Sequence, residues 1–354
     1  MSKRSLKSLR NLLPLSLLVI GLIAAVWIGF FYEPAEDDLT LAAAANGSDG
    51  ASDGAASDSS GTGSADAPSS GGEEESFVDT SNVLELTYTG FEDETGHIYI
   101  QEGAAEADEP LPLVLALCSM GSEAEIDVDA LGWKEIVATE NIIVIAPDYD
   151  NYSQYDSVNQ VAGAISYAVA NYPVDTTRIY SAGFSNGGAT SLALASTEST
   201  LLAGFAAAGW LVDMEGQDAS YDIPFMLMQG TDEFVFTTDQ GEKLVMPYES
   251  AALHSLFVYN EMISEDTKPD YTTTPYWGYE PDKYYITDNR GDTLYYSLYY
   301  KEGYTAPFAQ LILIQGGVHT PHSYEAEVMW DFLKHFSRNE NGEIVEITYD
   351  NELK

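Results

Sequence analysis

The feature that most constrains this fold is a glycine-flanked serine at residues 183–187, which read Gly-Phe-Ser-Asn-Gly. Residues 178–182 before it have strand character, and residues 189–196 after it read as a helix of small residues. A serine on a sharp turn between a strand and a helix presents its hydroxyl at the end of a sheet. Glycines two positions away let the strand and the helix pass within contact distance. We therefore predict a nucleophile elbow with Ser185 as nucleophile, and with the N–H of Asn186 aimed at an oxyanion.

Continuous apolar runs alternate with helical patterns on both sides of this elbow. Such runs are typical of parallel strands that are buried on both faces. The runs are Leu111–Leu117, 141–146, 202–208, 224–228 and 308–314, and the helical patterns are Trp133–Thr139, 157–172, 249–263 and 325–336. An alternating pair, Val83–Thr89 and 97–101, predicts a hairpin ahead of them. The sequence therefore predicts an α/β fold with a doubly wound, mostly parallel sheet of the α/β-hydrolase type.

Two further polar groups follow predicted strands, in the order that this fold requires. Catalytic groups lie beyond the carboxyl ends of the strands, in the chain order serine, carboxylate, histidine. The strand predicted before Gly230 is followed by Asp232 and Glu233, and the last predicted strand is followed by a glycine-rich loop with His319 and His322. We favour Asp232 as the acid, with Glu233 as the alternative. We favour His319 over His322 as the base because it lies closer to the Gly-Gly turn.

The loop after Leu111–Leu117 is the expected source of a second oxyanion donor. A backbone N–H serves whatever the side chain, so either Ser119 or Met120 fits this role. Cys118, the single cysteine of the chain, stands beside them. We interpret it as a small buried hydrophobe at a strand end rather than a nucleophile. One cysteine also excludes an intrachain disulfide and a cysteine cluster for zinc.

The first 80 residues have the composition of a targeting segment and a linker. Four basic residues in the first ten precede an uncharged, mostly apolar run over 12–32. At about 1.5 Å per residue a helix of that length spans a bilayer core, and the basic flank predicts that the N-terminus stays inside. We predict a signal anchor in 1–32, with cleavage as the alternative. Residues 33–80 predict a disordered Gly/Ser/Asp/Glu linker, 81–338 the hydrolase domain and 339–354 a tail.

The charge balance limits the partners of the chain. Its 354 residues include 57 acidic and 14 basic residues, which gives a formal net charge of −43. Repulsion of this size argues against binding nucleic acid or an anionic membrane surface, which leaves the N-terminal helix as the predicted membrane contact. A strongly acidic surface also favours neutral over anionic polymers. The sequence implies no metal and no organic cofactor, and it indicates no oligomeric state.

The domain from about residue 83 to 338 resembles the secreted α/β-hydrolase esterases of the poly(3-hydroxybutyrate) depolymerase and feruloyl esterase group. The matching pieces are PLVLAL, GWKEIVATENIIVIAPD at 132–148, VDTTRIYSAGFSNGG at 174–188, IPFMLMQGTDEFV at 223–235, GGVHTPH and WDFLKHF at 330–336. Carried over by position, the resemblance implies Ser185 as nucleophile, Asp232 as acid and His319 as base. The chain departs from the family at Cys118-Ser119, where the family has His-Gly, and its acid loop is about one residue shorter.

A tyrosine-rich stretch between the predicted acid and base is the least family-like part of the domain. Residues 269–304 hold eleven Tyr and Trp side chains, and 288–292 (Asp-Asn-Arg-Gly-Asp) is a hairpin turn signal between two Tyr-rich strands. Aromatic faces bury large areas against rings. Tyr276, Trp277 and Tyr279 are therefore candidates for lining a substrate site, although such residues equally cover a sheet edge.

The sequence as a whole predicts a serine carboxylesterase outside the cytoplasm. The expected substrates are small-molecule or polysaccharide esters, with feruloyl or acetyl groups, or a short polyester. We expect the domain at the cell surface, or secreted if the N-terminal segment is cleaved. Two alternatives stay open, a serine peptidase of the same fold and a non-catalytic surface-binding protein.

Overall fold

A computed structural model describes residues 78–348 of the chain, apart from 91–93, 105–108, 150–151, 213, 215–221, 239 and 246. The predicted anchor in 1–32 and nearly all of the predicted linker in 33–80 lie outside the described residues. Within the described part of the chain, no helix is both long and apolar enough to cross a membrane.

Ten strands form one sheet in the order β1-β2-β4-β3-β5-β6-β7-β12-β11-β10. Their bounds are β1 Val83–Thr89, β2 Thr95–Gln101, β3 Leu111–Leu117, β4 Ile143–Asp148, β5 Val174–Phe184, β6 Gly204–Ala208, β7 Phe225–Gly230, β10 Lys283–Asn289, β11 Asp292–Tyr299 and β12 Ala309–Ile314. The six central strands, from β4 to β12, run parallel, and an antiparallel pair flanks them on each side. The predicted mostly parallel sheet is confirmed.

Helices cover both faces of the sheet, because the central strands are apolar on both sides. The helices are α1 Ala124–Leu131, α2 Trp133–Thr139, α3 Val158–Asn171, α4 Asn186–Thr197, α5 Pro247–Tyr259 and α6 Glu325–Leu333. Side chains of α1, α2 and α6 pack into the core on one face, and those of α3, α4 and α5 pack into the core on the other. Every residue of β3, β6, β7 and β12 is buried, as the unbroken apolar runs predict. Helix α1 is absent from the sequence prediction.

The tyrosine-rich stretch, inserted before the last strand of the sheet, adds two antiparallel strands to its edge. The predicted hairpin is confirmed: β10 pairs with β11 in an antiparallel ladder, and β11 pairs with β12. Arg290 (φ 45°) and Gly291 (φ 91°) form the two-residue turn between the strands. Positive φ at both positions is the backbone that a tight hairpin of this type requires, which explains the glycine.

The compact fold continues past residue 338, the predicted end of the domain. Strands β13 (Phe336–Arg338) and β14 (Ile344–Glu346) form a hairpin, and Ile344 is buried in the core. A further two-stranded ribbon, β8 (Phe236–Thr237) with β9 (Lys243–Leu244), lies after the strand that leads to Glu233. Neither hairpin has a clear sequence signal, because its strands are only two or three residues long.

Candidate active site

The turn after β5 holds Ser185 in a conformation that side chains rarely adopt. Its φ is 53° and its ψ is −123°, and it caps helix α4. The Ser185 N–H donates to the carbonyl of Ala208 on the neighbouring strand β6, at 2.7 Å. Asn186 is the first residue of α4, where N–H groups have no partner within the helix. The predicted strand–turn–helix arrangement is therefore present, with the serine at the carboxyl end of the central strand.

Close backbone approach explains both glycines of the elbow. A Cβ added at Gly187 would lie 2.0 Å from the carbonyl oxygen of Leu117, at the end of β3. A Cβ added at Gly183 would lie 2.5 Å from the same oxygen. Real Cβ atoms do not approach backbone oxygen this closely, so any side chain at either position would push β3, the turn and α4 apart. These distances confirm that the two flanking glycines let the strand and the helix pass within contact distance.

Glu233 is the carboxylate that lies against the histidine. The Ser185 Oγ is 2.8 Å from Nε2 of His319, and Nδ1 of His319 is hydrogen-bonded to Oε1 of Glu233. With Nδ1–H donated to the carboxylate, Nε2 is free to accept the Ser185 proton. Glu233 is 3% exposed, and its Oε2 accepts a hydrogen bond from the N–H of Gly230 at 2.8 Å. The chain therefore brings serine, imidazole and carboxylate into one hydrogen-bonded line.

The prediction that Asp232 lies at this position is wrong, and the alternative, Glu233, takes it. Asp232 is exposed, and its N–H donates to the carbonyl of Gly317 at 3.0 Å. Successive residues of a turn project in different directions, so one residue of difference decides which carboxylate faces the sheet end. Glu233 has one methylene more than aspartate, and its longer side chain reaches His319 from the turn.

The acid loop and the histidine loop are held together by backbone contact. A Cβ added at Gly230 would lie 2.1 Å from the carbonyl oxygen of Gly317. The hydroxyl of Thr231 accepts a hydrogen bond from the N–H of Gly316 at 2.8 Å, and the Thr231 N–H donates to Ile314 at 2.9 Å. These contacts fix the separation of Glu233 and His319 independently of their side chains.

Gly209 makes room for the same three groups. Its φ is +73°, and a Cβ there would lie 2.8 Å from Glu233 Oε1 and 3.2 Å from Cε1 of His319. Gly209 stands after a short run of alanines with no motif around it, so no local sequence signal indicates its role.

The loop after β3, which holds Ser119 and Met120 and is called the oxyanion loop here, keeps one of its two predicted oxyanion donors. The N–H of Ser119 donates to Oδ2 of Asp127 at 2.5 Å, and the Ser119 hydroxyl donates to the same oxygen at 2.6 Å. The prediction of Ser119 as a second oxyanion donor is therefore contradicted, because its N–H is already bound. Among the described residues, no acceptor is found for the Met120 N–H, which keeps Met120 as the candidate beside Asn186. Asp127, on α1, also accepts from Ser122 at 2.5 Å, so it anchors both ends of this loop.

Cys118 and Tyr149 support the loop from behind. Cys118 is buried, as predicted, and its carbonyl accepts a hydrogen bond from the Tyr149 hydroxyl at 3.0 Å. Burial raises the pKa of Tyr149, so the hydroxyl stays a donor. Gln154 donates to the side-chain oxygen of Asn186. Asp127, Tyr149 and Gln154 lack any motif, and only their position in the fold shows what they hold.

Aromatic rings enclose the histidine. The ring of Phe184 is 4.7 Å from that of His319, and the ring of Phe234 is 4.8 Å from it. Trp210 packs edge-on against Phe234 at 5.5 Å. Phe234 is 44% exposed and has a φ of 42°, so its backbone turns the ring towards the histidine at a steric cost. These rings give the mouth of the site apolar walls.

The other histidines lie away from Ser185. His322, the alternative base, is 3.1 Å from Asp292 through Nδ1, and His254 is hydrogen-bonded to the Tyr279 hydroxyl at 2.8 Å. His97 lies between Glu85 and Glu125, whose carboxylates are 3.6 and 3.7 Å from opposite ring nitrogens.

These three groups, Glu85, His97 and Glu125, are close enough to be considered as metal ligands. Their two carboxylates face different nitrogens of the ring, and the Lys134 ammonium lies 3.0 Å from Glu85. This is the arrangement of an ion-paired surface cluster, and it gives no reason to assign a metal.

Two of the three candidate substrate-lining aromatics, Trp277 and Tyr279, are part of the hydrophobic core. Trp277 is 3% exposed and Tyr279 is 6% exposed, and both pack in the hydrophobic core with α5. Tyr276 is half-buried with a φ of 71°, and its N–H donates to Lys243 of β9 at 2.7 Å. The prediction that Trp277 and Tyr279 line a substrate site is wrong, because their rings fill the space between α5 and the sheet.

The chain is similar to a protein-family model, to a curated protein sequence and to several solved structures. A family model described as the prolyl oligopeptidase family matches residues 149–275, which include Ser185 and Glu233 but end before His319. A bifunctional acetylxylan esterase/xylanase, XynS20E, of Neocallimastix patriciarum is 22% identical over 250 residues, which are 68% of this chain and 33% of that protein. The chain thus spans about a third of the length of the curated relative it matches.

Similar solved structures include an acetyl xylan esterase from Aspergillus awamori, 13% identical, with a TM-score of 0.47 over 71% of this chain and 98% of that one. A feruloyl esterase module from Clostridium thermocellum in complex with sinapinate is 11% identical, with a TM-score of 0.44 over 71% of this chain and 86% of that one. The strand order, the elbow after β5 and the chain order of Ser185, Glu233 and His319 establish the α/β-hydrolase fold.

A second buried carboxyl lies behind the acid. Glu325, at the start of α6, is 1% exposed. Its Oε1 accepts a hydrogen bond from the His322 N–H at 3.2 Å, while its Oε2 has no partner among the described residues. Burial raises the pKa of the Glu325 carboxyl well above its usual range, and the nearby charges of Glu233 and Asp127 act in the same direction. A neutral Glu325 therefore leaves Glu233 as the charged group beside the histidine.

We expect Glu325→Gln to stabilise the protein at pH 8 and to have little effect near pH 4. Above the pKa of an unfolded glutamate, about 4.3, the folded wild type keeps a proton that the unfolded chain has lost, so its stability falls as pH rises. Glutamine keeps the acceptor for His322 and removes the titration. Thermal unfolding from pH 4 to 8 checks this, with the exposed Glu327→Gln as control. A Glu325→Gln protein that is less stable than wild type at pH 8 would contradict it.

Proposed function

We propose that this protein is a serine carboxylesterase that acts through an acyl-enzyme. The observation that carries the proposal is the hydrogen-bonded line of Ser185, His319 and Glu233, with Ser185 on a strained turn at the N-terminus of α4. A serine, a base within hydrogen-bond reach and a group that orients the base are the parts of nucleophilic catalysis. The comparison with esterases of xylan and of feruloyl groups supports ester over other acyl substrates.

The geometry supplies each step of the reaction. Ser185 Oγ attacks the ester carbonyl carbon while its proton passes to Nε2 of His319, and Glu233 stabilises the imidazolium. The N–H groups of Asn186 and Met120 hold the oxyanion of the tetrahedral intermediate. His319 then gives its proton to the departing alcohol, which leaves an acyl-Ser185 ester. Water attacks that ester, His319 takes the water proton, and collapse returns the proton to Ser185 and releases the carboxylic acid.

The walls of the site favour an apolar or aromatic group next to the scissile bond. The rings of Phe184 and Phe234 contact His319, and Trp210 packs against Phe234. Met120 and Val318, on the loops that carry the oxyanion donor and the histidine, are exposed apolar side chains, at 55% and 56%. Such walls bury an aromatic acyl group well and still admit a small acyl group. We propose plant polysaccharide esters that carry feruloyl or acetyl groups as the substrates. A short polyester stays a prediction from the sequence.

A peptidase is the second candidate. The prolyl oligopeptidase family model matches the stretch that contains the elbow and the acid. The same triad cleaves amides, and the discrimination depends on the leaving group and on what the site binds. Amide hydrolysis is therefore the alternative that the decisive assay must include.

Modification of Ser185 tests the proposed nucleophile. We expect the full-length protein, purified in mild detergent, to gain the mass of one fluorophosphonate adduct and to hydrolyse p-nitrophenyl acetate and methyl ferulate. Ser185→Ala should lose the adduct and the turnover, while Ser153→Ala, on a surface loop, should keep both. Aminoacyl amides measured side by side should be turned over far more slowly. An adduct that persists in Ser185→Ala, or turnover of amides alone, would overturn the proposal.

The choice between Glu233 and Asp232 gives a separate prediction. Glu233→Gln should lower kcat for p-nitrophenyl acetate by roughly 1,000- to 10,000-fold, because an amide cannot stabilise the imidazolium and favours the wrong tautomer. Asp232→Asn, one residue earlier and exposed, should stay within about twofold of wild type. Steady-state kinetics of the two variants side by side checks the assignment. The reverse order of effects would return the acid to Asp232.

We also propose that the catalytic domain lies outside the cytoplasm. Lys3, Arg4, Lys7 and Arg10 ahead of the apolar run in 12–32 support an N-terminus that stays inside, and the net charge of −43 suits a solvated surface. In intact cells, added protease should cut the domain from the anchor. Protection of the domain until the cells are lysed would contradict this location.

A further inference from the structure

A groove of about 490 Å³ lies at the antiparallel edge of the sheet, between the β10–β11 hairpin and helix α6. We call it the β10–α6 groove. Six of its lining side chains carry the argument: Tyr285, Tyr296, Gln310, Glu327, Asp331 and His335. None of them belongs to the hydrogen-bonded line of the active site, and the volume is that of a small-molecule site.

Two nearly buried polar side chains open into this groove. Gln310, on β12, is 8% exposed, and Tyr296, on β11, is 8% exposed. Within the described part of the chain, neither the Gln310 amide nor the Tyr296 hydroxyl makes a side-chain hydrogen bond, and neither is sealed from solvent. Buried polar groups are normally paired, so an unpaired amide and hydroxyl facing a cavity indicate a ligand that supplies the partners.

An aromatic platform forms one side of the groove. The ring of Tyr285 stacks on that of Tyr296 at 4.5 Å and 10°, and the two residues are directly opposite in the β10–β11 ladder. The Tyr296 ring supports the Tyr285 ring on one face. Because Tyr285 is 45% exposed, part of its ring is left for contact with a ligand. A flat apolar ligand face, such as the C–H face of a sugar ring, packs on such a platform.

The opposite side of the groove offers hydrogen-bonding groups from α6 and the residues after it. His335 is half-buried, and burial lowers the pKa of its imidazole, with the Lys334 charge acting in the same direction. A neutral imidazole offers one donor and one acceptor. Glu327 and Asp331 add acceptors at the rim.

The charges at the rim decide the kind of ligand. The Asp331 carboxylate is 2.5 Å from the Lys334 ammonium, and a Glu327 oxygen is 3.7 Å from the guanidinium of Arg290. Glu327 and Asp331 therefore already have a cation beside them, which weakens the demand for a cationic ligand. Asp288, the third carboxylate that lines the groove, accepts a hydrogen bond from the Thr293 hydroxyl at 3.0 Å. An anionic ligand would meet the same carboxylates. A neutral ligand with many hydroxyls satisfies an amide, an imidazole, a phenol and carboxylate acceptors together.

We propose that the β10–α6 groove binds the sugar rings of a neutral polysaccharide. The platform of Tyr285 and Tyr296 would carry a ring face, and Gln310, His335 and Asp331 would bind its hydroxyls. The site is separate from the Ser185 centre, and the proposal does not depend on ester hydrolysis. Together with an esterase centre, the groove would hold a decorated polymer against the domain.

Titration calorimetry of the full-length protein with xylohexaose and with cellohexaose tests this proposal. Neither sugar carries an ester, so binding is independent of the chemistry at Ser185. We expect at least one of them to bind in the millimolar range or tighter. Tyr285→Ala and Gln310→Leu should each weaken that binding about tenfold, the order expected for a lost ring contact or a lost polar partner.

Tyr284→Ala is the matched control, because Tyr284 directly precedes Tyr285 in β10 and is 54% exposed, but its ring stacks on Tyr295 instead of Tyr296. It should bind as wild type does, and all three variants should hydrolyse p-nitrophenyl acetate as wild type does. Absence of binding by both hexaoses would overturn the proposal. So would binding that Tyr284→Ala weakens and Tyr285→Ala does not, or spermidine binding in place of sugar, which would make the groove a cation site.

Discussion

The contact between the Leu117 carbonyl and the two elbow glycines is the constraint on which the site depends. Strand β3 passes so close to the turn that Gly183 and Gly187 have no room for a side chain. This proximity places the oxyanion loop, which follows Leu117, directly beside the N-terminus of α4. The strained backbone of Ser185 is tolerated because strands on both sides and a buried helix hold it. Nucleophile and oxyanion donors are therefore positioned by one packing contact.

Glu233 and His319 are positioned by an equivalent contact, which joins the two loops that carry them. The backbones of Gly230 and Gly317 touch, and the hydroxyl of Thr231 binds the N–H of Gly316. Glu233 and His319 approach each other because their loops cannot separate. Gly209 leaves the space in which carboxylate and imidazole meet. Three close backbone approaches, at Gly183, Gly187 and Gly230, and the space beside Gly209 thus build a centre whose chemistry belongs to three side chains.

The edges of the sheet have a different role from its centre. The parallel core positions the active site, whereas the antiparallel β10–β11 hairpin widens the sheet and presents its tyrosines in cross-strand pairs. One pair, Tyr285 with Tyr296, faces the groove beside α6, and the other, Tyr284 with Tyr295, faces the opposite side. A strand alternates its faces, so a single Tyr-rich run supplies a surface on each side of the sheet. The structure thus separates the tyrosines into a core group around Trp277 and Tyr279 and an exposed group on β10.

The fold class, the elbow at Ser185, the loop that carries His319 and the Tyr-rich hairpin are all predictable from local patterns in the sequence. Each has a local signal, since apolar runs mark buried strands, and glycine pairs and the Arg290-Gly291 turn mark places where the backbone must bend. The choice between Asp232 and Glu233 depends on the folded structure, because two neighbouring acidic residues in a turn differ in the direction of their side chains and hardly in their chemistry. The same holds for Ser119, whose N–H is taken by Asp127 from a helix that has no strong pattern, and for Trp277 and Tyr279, whose burial depends on α5. Local patterns report what the backbone does, whereas the partner that a side chain meets is set by elements distant in sequence.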